Sequence, residues 1–120
     1  MHPRRSGSIG EELACKYLAS HGFKIIKKNF TISGGEVDII AKKADLLVFI
    51  EVKTRTNESF GNADESINFA KKRSLKRTVA KYLAKFTSGD VDYRVDLIEI
   101  ELDRYTSVLV KINHLEDIEL

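Results

Sequence analysis

The stretch of sequence that decides the fold is Leu46-Leu47-Val48-Phe49-Ile50-Glu51-Val52-Lys53. An almost continuous apolar run of this length is typical of a β-strand that other elements cover on both faces. The run nevertheless carries an acid and a base near its end. Because side chains alternate along a strand, Glu51 and Lys53 share one face. A buried carboxylate needs a partner, so the stretch predicts both a covered sheet and a polar site.

The residues before this strand predict a helix and two further strands. Apolar residues at helical spacing indicate a first helix from about Ser8 to His21. Ser8 and Glu11 have the S-x-x-E form of a capping box at its start. Apolar, β-branched stretches separated by turn residues then predict a three-stranded antiparallel meander. Its strands are Phe23 to Asn29, Val37 to Lys42 and Leu46 to Thr54.

The residues after the strand predict a second helix and two more strands. Helical spacing runs from Ile67 to Phe86 and should end near Ser88-Gly89. The strands that follow are about Tyr93 to Leu102 and Ser107 to Ile112. The second helix supplies the crossover that a parallel connection needs. The order αβββαββ therefore predicts an α/β fold, a mixed β-sheet flanked by helices, in one domain spanning residues 1–120.

Composition narrows the class of protein. Apolar residues make up 42% and charged residues 32% of the 120 residues, as in a folded soluble domain. No apolar run approaches the roughly 18 residues of a transmembrane helix. The first residues lack the apolar stretch of a signal peptide, and the single cysteine, Cys15, cannot form an internal disulfide. We expect a cytoplasmic protein with no membrane partner.

Charge is distributed unevenly along the chain. Residues 1–87 hold 17 Lys and Arg against 9 Asp and Glu, whereas residues 88–120 hold 3 against 9. The basic part is suited to attract a polyanion. The alternative is that these cations only keep a small domain soluble.

The strand before the deciding stretch carries a second acid, Asp38, among apolar residues. A hairpin that joins the two strands would set Asp38 near Glu51, where the two carboxylates would repel unless a cation held them. Oxygen ligands favour a hard ion, Mg²⁺ or Mn²⁺, and Lys53 would supply positive charge beside it. The alternative is an ion pair between Glu51 and Lys53 at a sheet edge.

Two other acids are candidates for the same site. Glu11 lies beside the apolar stripe of the first helix, from which it could point toward the sheet. Its alternative role is the reciprocal carboxylate of the Ser8 capping box. Glu36 shares the face of Asp38, although its position just after two glycines favours exposure to solvent.

The second helix is almost wholly basic on its exposed face. Such a face suits a nucleic-acid backbone, and binding would then be salt-dependent and indifferent to sequence. The alternative is an ordinary soluble helix surface. The predicted nucleic-acid contacts are Lys71, Lys72, Arg73, Lys76 and Arg55. The acidic end, Glu116 to Leu120, is most simply a solvated tail, and the three histidines show no ligand spacing.

Several motifs at ordered spacing resemble the YraN-like family of small bacterial proteins. The match runs from about Ser6 to Asp96. Its motifs are Gly10-Glu11-x-x-Ala14-x-x-Tyr17-Leu18-x-x-x-Gly22, Asn29-Phe30, Gly35-Glu36-Val37-Asp38-Ile39-Ile40-Ala41, Phe49-Ile50-Glu51-Val52-Lys53-Thr54-Arg55, Phe60-Gly61 and Arg94-Val95-Asp96. That family is grouped with the PD-(D/E)XK nuclease superfamily and is similar to archaeal Holliday-junction resolvases.

The resemblance implies a restriction-endonuclease-like fold and a set of site residues. Asp38 and Glu51 would be the metal-binding acids, Lys53 the catalytic lysine and Glu11 the helix-1 acid. The backbone carbonyl of Val52 would be a further ligand. The chain departs from the pattern at two positions: valine stands at 37 where the superfamily has proline, and lysine stands at 72 where relatives often have glutamine.

The function that these residues favour is a Mg²⁺-dependent nuclease that hydrolyses phosphodiester bonds, with branched DNA as the substrate by analogy. Resolvase-like enzymes often act as dimers because two symmetric cuts require two sites, so a homodimer is left open. One alternative is a nucleic-acid-binding or assembly module that keeps the fold without turnover. Another is a structural α/β partner protein whose acids are salt-bridged.

Overall fold

The computed structural model describes residues 5–56 and 68–120, with the side chains of the first range described from Ser8 onwards. The predicted α/β fold with the element order αβββαββ is confirmed. Within the described residues, no helix is long and apolar enough to cross a membrane. The elements are α1 (Arg5–Ser20), β1 (Lys24–Ile32), β2 (Gly35–Lys43), β3 (Leu46–Thr56), α2 (Phe69–Phe86), β4 (Tyr93–Leu102) and β5 (Leu109–Leu115).

The five strands form one sheet in the order β1-β2-β3-β4-β5. The first three are an antiparallel meander, β4 runs parallel to β3, and β5 is antiparallel to β4. The predicted mixed sheet is therefore confirmed, with α2 in the crossover that the parallel pair requires. Because strand order equals chain order, β2 and β3 separate the exposed lysines of β1 from the acidic residues of β4.

The core has two layers, one on each face of the sheet. Alternate residues of β3 enter different layers: Val48 and Ile50 pack with α1, whereas Leu47 and Phe49 pack with α2. This explains the continuous apolar run of β3, because both of its faces are covered. The α1-side layer includes Ala14, Leu18, Ile39, Ala41, Ile98 and Ile100. The α2-side layer includes Phe30, Ile40, Leu75, Val79, Tyr82, Val95 and Leu97.

The capping box predicted at Ser8 is wrong. Helix α1 begins at Arg5, so Ser8 lies inside the helix and cannot be its N-cap. The beginning of α1 packs closely on β3, because a Cβ atom at Gly10 would stand 3.1 Å from Cβ of Thr54. Tertiary packing of this kind outweighs a local capping preference.

The second helix differs slightly from its predicted bounds. Ile67, where the helical spacing starts, lies outside the described residues. Helix α2 begins at Phe69, with Asn68 as the N-cap that accepts a hydrogen bond from the Lys71 amide at 2.8 Å. It ends at Phe86 rather than at Ser88-Gly89, because Thr87 already has extended backbone and bonds back to the last turn.

The prediction of a solvated acidic tail is wrong for its apolar residues. Ile118 donates its amide hydrogen to the Val95 carbonyl at 2.7 Å, which adds the segment to the start of β4. Ile118 and Leu120 pack against the α2-side layer. The acids of this segment alternate with these apolar residues, and burial of the apolar ones holds the segment on the domain.

Candidate metal centre and nucleic-acid interface

The sheet brings Asp38 and Glu51 together. Strands β2 and β3 pair Ile39 with Ile50, so the next position of the same register sets Asp38 opposite Glu51. Only 8% of Asp38 and 7% of Glu51 is exposed. The Val52 amide donates a hydrogen bond of 2.8 Å to Oδ2 of Asp38, which fixes that carboxylate against β3. The two acids that the sequence singles out are therefore neighbours in a nearly buried position.

Burial and mutual repulsion disturb the ionisation of both acids. Desolvation raises the pKa of Asp38, although hydrogen bonds from the Val52 amide and from Glu51 oppose the rise. Desolvation and then the charge of Asp38 raise the pKa of Glu51 to about 8, against the opposing effect of Lys71. Without a metal ion, the pair therefore keeps a proton near neutral pH.

The donor set suits a hard divalent cation. Oε1 of Glu51 is buried and has no hydrogen-bond partner among the described residues. A buried carboxylate oxygen in this state is costly, and a cation would satisfy it. No cluster of three or more His, Cys, Asp or Glu suited to hold an ion occurs within residues 5–56 and 68–120. Two neighbouring carboxylates, one of them with an unpartnered oxygen, are donors of the kind that Mg²⁺ prefers.

The cation beside the acids is Lys71, a residue that the sequence assigned to the nucleic-acid surface. Its Nζ atom lies 3.0 Å from Oε2 of Glu51. The signal for this position was present, since Lys71 precedes buried Leu75 by one helical turn and so lies on the inward stripe of α2. The second acidic residue, Asp38, also feels the charge of Lys71.

Lys53 does not pair with Glu51, so the predicted alternative of an ion pair between them is wrong. Lys53 is exposed, and its ammonium group has no hydrogen bond or ion pair to any residue that the structure describes. The reason is positional: α2 reaches over β3 at Glu51 and places Lys71 on its carboxylate. Lys53 is two residues further along the same strand, and its role as the catalytic lysine stays a prediction.

The two other candidate acids lie at different distances from the pair. Glu36 is half-buried, and its charge contributes to the raised pKa of Asp38. Glu11 is half-buried on α1, whose buried residues pack on the opposite face of the sheet from α2. The assignment of Glu11 to the site therefore stays a prediction.

Arg55 is held in a polar cluster on the sheet. Its Nη2 atom donates to Oε2 of Glu99 at 2.7 Å, and both side chains are largely buried. Asn113 of β5 donates to the other Glu99 oxygen at 3.2 Å. Glu99 is also the residue that pairs with Lys53 in the parallel register of β3 and β4. Arg55 is thus anchored next to the strand position of Lys53.

Helix α2 presents the predicted basic surface. Arg73 and Lys76 are exposed and Lys72 is half-buried, so all three side chains reach the outside of the domain. They lie near the start of α2, the end of the helix that contacts the acid pair. Arg77 donates to the Gly34 carbonyl at 2.9 Å, which ties the helix to the turn between β1 and β2. The remaining basic residues of this face are Lys81 and Lys85, both exposed.

A buried network around Asp96 is the part that sequence reasoning missed. Asp96 is fully buried on the α1 side and accepts hydrogen bonds from Arg94 at 2.9 Å and from the Asp117 amide at 2.9 Å. Nε2 of His114 lies 2.8 Å from Asp96, and Nδ1 of His114 lies 2.9 Å from the hydroxyl of Tyr17. Burial raises the pKa of Asp96, but these hydrogen bonds outweigh it and the net shift is downward. The network joins α1, β4, β5 and the last residues of the chain.

These features define a class: small α/β proteins whose mixed sheet carries a nearly buried acid pair next to a lysine. The chain belongs to the uncharacterised protein family UPF0102, whose model matches residues 10–100. The YraN-like resemblance is thereby confirmed.

Bacterial relatives of the same family match over most of their length. A UPF0102 protein of Caldicellulosiruptor bescii is 41% identical over 118 residues, covering 98% of both chains. One from Caldanaerobacter subterraneus subsp. tengcongensis is 38% identical over 109 residues, covering 91% of this chain and 89% of the relative. One from Carboxydothermus hydrogenoformans is 44% identical over 101 residues, covering 84% and 86%.

Among solved structures, a distant likeness is to Pyrococcus furiosus SfsA in complex with Ca²⁺. The TM-score is 0.43 and the sequence identity is 12%. The match covers 98% of this chain and 65% of that chain, so this chain spans just under two thirds of that protein.

Proposed function

We propose that the protein is a divalent-metal-dependent nuclease whose ion is held by Asp38, Glu51 and the carbonyl of Val52. The observation that carries the proposal is the nearly buried acid pair with an unpartnered carboxylate oxygen. A single lysine neutralises one of two charges when both acids are ionised. The remaining negative charge and the bare oxygen make a site for Mg²⁺ or Mn²⁺.

Asp38 and Lys53 would have different roles in phosphodiester hydrolysis. Asp38 is oriented by the Val52 amide, so it presents its carboxylate in a fixed position. Lys53 is exposed on the same strand, where its ammonium group can stabilise charge that develops on the scissile phosphate. A bound Mg²⁺ would polarise the phosphate and lower the pKa of a coordinated water.

The substrate that we propose is nucleic acid, with DNA favoured and branched DNA the first form to test. The support is electrostatic, because exposed lysines and arginines occupy α2 and also the outer strand of the sheet. The acidic residues of β4, which are Asp96, Glu99 and Glu101, are separated from β1 by β2 and β3. A polyanion would therefore be oriented on one side of the domain. The exposed lysines of β1 are Lys24, Lys27 and Lys28.

A second function is a nucleic-acid-binding module without turnover. The observation that favours it is the ion pair between Lys71 and Glu51, which already neutralises part of the acid pair without a metal. Such a module would bind nucleic acid equally well in the presence of EDTA. It would show no cleavage, and the loss of Lys53 would have no rate to change.

Cleavage assays test the choice between these functions. Pure protein is incubated with labelled linear, flap and four-way-junction DNA, and with the matching RNA, in Mg²⁺ or Mn²⁺. The matched variants are Asp38→Asn in the acid pair and Asp45→Asn in the exposed turn between β2 and β3. We expect cleavage by the wild type and by Asp45→Asn but not by Asp38→Asn. Equal cleavage by both variants would contradict the site, and binding without cleavage by the wild type would favour the module.

A further inference from the structure

Lys71 contacts the same carboxylate that is a proposed ligand of the metal ion. Its Nζ atom is 3.0 Å from Oε2 of Glu51, an oxygen of one proposed metal ligand. An ammonium group and a divalent ion are both cations, so they repel each other when they share one carboxylate group. Binding of one cation to Glu51 therefore weakens binding of the other.

Of the two residues, Lys71 is the one whose side chain can move away. The side chain of Glu51 is 9% exposed, whereas that of Lys71 is 37% exposed. Asp38 and Glu51 are fixed on adjacent strands of the sheet, and Asp38 is further held by the Val52 amide. The backbone of Lys71 is fixed by the Asn68 cap, but its four-carbon stem is flexible and reaches solvent.

We infer that Lys71 is a stand-in for the metal ion: its ammonium group contacts the Glu51 carboxyl group, and metal binding displaces it toward a nucleic-acid phosphate beside the site. This inference rests on the proposed function. Charge supports it, because the ionised acid pair with a divalent ion is neutral without the lysine. The displaced cation then becomes one additional phosphate contact that exists only in the metal-loaded protein. Metal and nucleic acid would consequently strengthen each other's binding.

The first test measures Mn²⁺ binding by calorimetry without nucleic acid. Lys71→Met removes the competing charge and keeps an apolar stem of similar length. Lys81→Met is the matched control, because Lys81 is an exposed lysine of the same helix. We expect Lys71→Met to bind Mn²⁺ roughly fivefold more tightly than the wild type, the scale of one partly exposed ion pair. Lys81→Met should bind like the wild type.

The outcomes separate this inference from the proposed function. Wild-type binding with an unchanged or weaker affinity in Lys71→Met would overturn the inference and leave the metal site standing. A wild type that binds no Mn²⁺ would overturn the proposed metal site itself. Lys71→Gln, which retains a polar group beside Glu51, is a second variant, and melting curves of both variants show that they are folded.

The second test measures whether the displaced Lys71 contacts a phosphate of the nucleic acid. Binding of a labelled linear duplex is titrated against salt in EDTA and in Ca²⁺, a metal chosen to limit cleavage. In the wild type, metal should make the slope of log affinity against log salt steeper. This increase should exceed the increase that metal causes in Lys71→Met by about 0.9, the value for one phosphate contact. In Lys81→Met, metal should change the slope by the same amount as in the wild type. Equal changes in all three proteins would overturn the displacement.

Discussion

Replacing Glu51 by glutamine removes one carboxylate from the buried pair while it keeps nearly the same shape. In the wild type without metal, the pKa of Glu51 is raised from its ordinary 4.5 to about 8, first by burial and then by the charge of Asp38. Between pH 4.5 and about 8, Glu51 therefore keeps its proton in the folded state and has lost it in the unfolded state. The contribution of protonated Glu51 to the free energy of unfolding is fully present below about pH 4.5 and falls as the pH rises toward about 8.

The size of this fall follows from the shift. Each pKa unit corresponds to about 1.4 kcal/mol, so ionisation of Glu51 costs the metal-free fold on the order of 4 kcal/mol by about pH 8. Glu51→Gln should lose this dependence, because the amide does not ionise. In EDTA at about pH 8 the variant should be more stable than the wild type, although Lys71 loses its ionic partner.

Urea unfolding in EDTA at about pH 5 and about pH 8 measures the effect, read as the difference between variant and wild type. Glu12→Gln makes the same chemical change on the exposed side of α1 and is the control. Addition of Mn²⁺ at the higher pH should stabilise the wild type and leave Glu51→Gln unchanged. A wild type whose stability is flat or rises over this pH range relative to Glu51→Gln would refute the reasoning.

Three other changes test the surface and the fold. Removing three cations of α2 should weaken binding of unrelated DNA sequences equally and flatten its salt dependence, whereas Lys111→Ala on β5 should not. The three are Lys72, Arg73 and Lys76. Asp96→Asn should cost roughly 3–5 kcal/mol in urea unfolding, because it breaks a buried charge network; an unchanged midpoint would contradict that role. Gly35→Ala should lower the free energy of unfolding by roughly 1–3 kcal/mol, because the new Cβ would stand 2.9 Å from Oγ of Ser74; an unchanged free energy in urea unfolding would show that α2 can shift.

The elements of the fold were predictable because their signals are local or periodic. The continuous apolar run of β3 indicates two covered faces, and the structure covers both. The proximity of Asp38 and Glu51 followed from a hairpin between strands that are adjacent in the chain. Such short-range pairing needs no knowledge of the rest of the fold.

The parts that sequence did not predict depend on distant contacts. Lys71 contacts Glu51 because α2 crosses β3 at the position of Glu51. Helical spacing alone predicts only that Lys71 lies on the inward side of α2. The Asp96 network joins residues up to 97 positions apart, such as Tyr17 and His114. The last segment is acidic by composition, but its two apolar residues find the core. Spacing within one element contains no information about these contacts.

A crystal of the wild type soaked with Mn²⁺ tests the central claim most directly, because anomalous scattering locates the ion. The account predicts one peak between Asp38 and Glu51, with carboxylate oxygens of both acids and the carbonyl of Val52 as protein ligands. We also predict that Nζ of Lys71 moves away from Oε2 of Glu51, from which it is 3.0 Å distant in the structure described above. A map with Mn²⁺ bound elsewhere and Lys71 still on Glu51 would contradict the account.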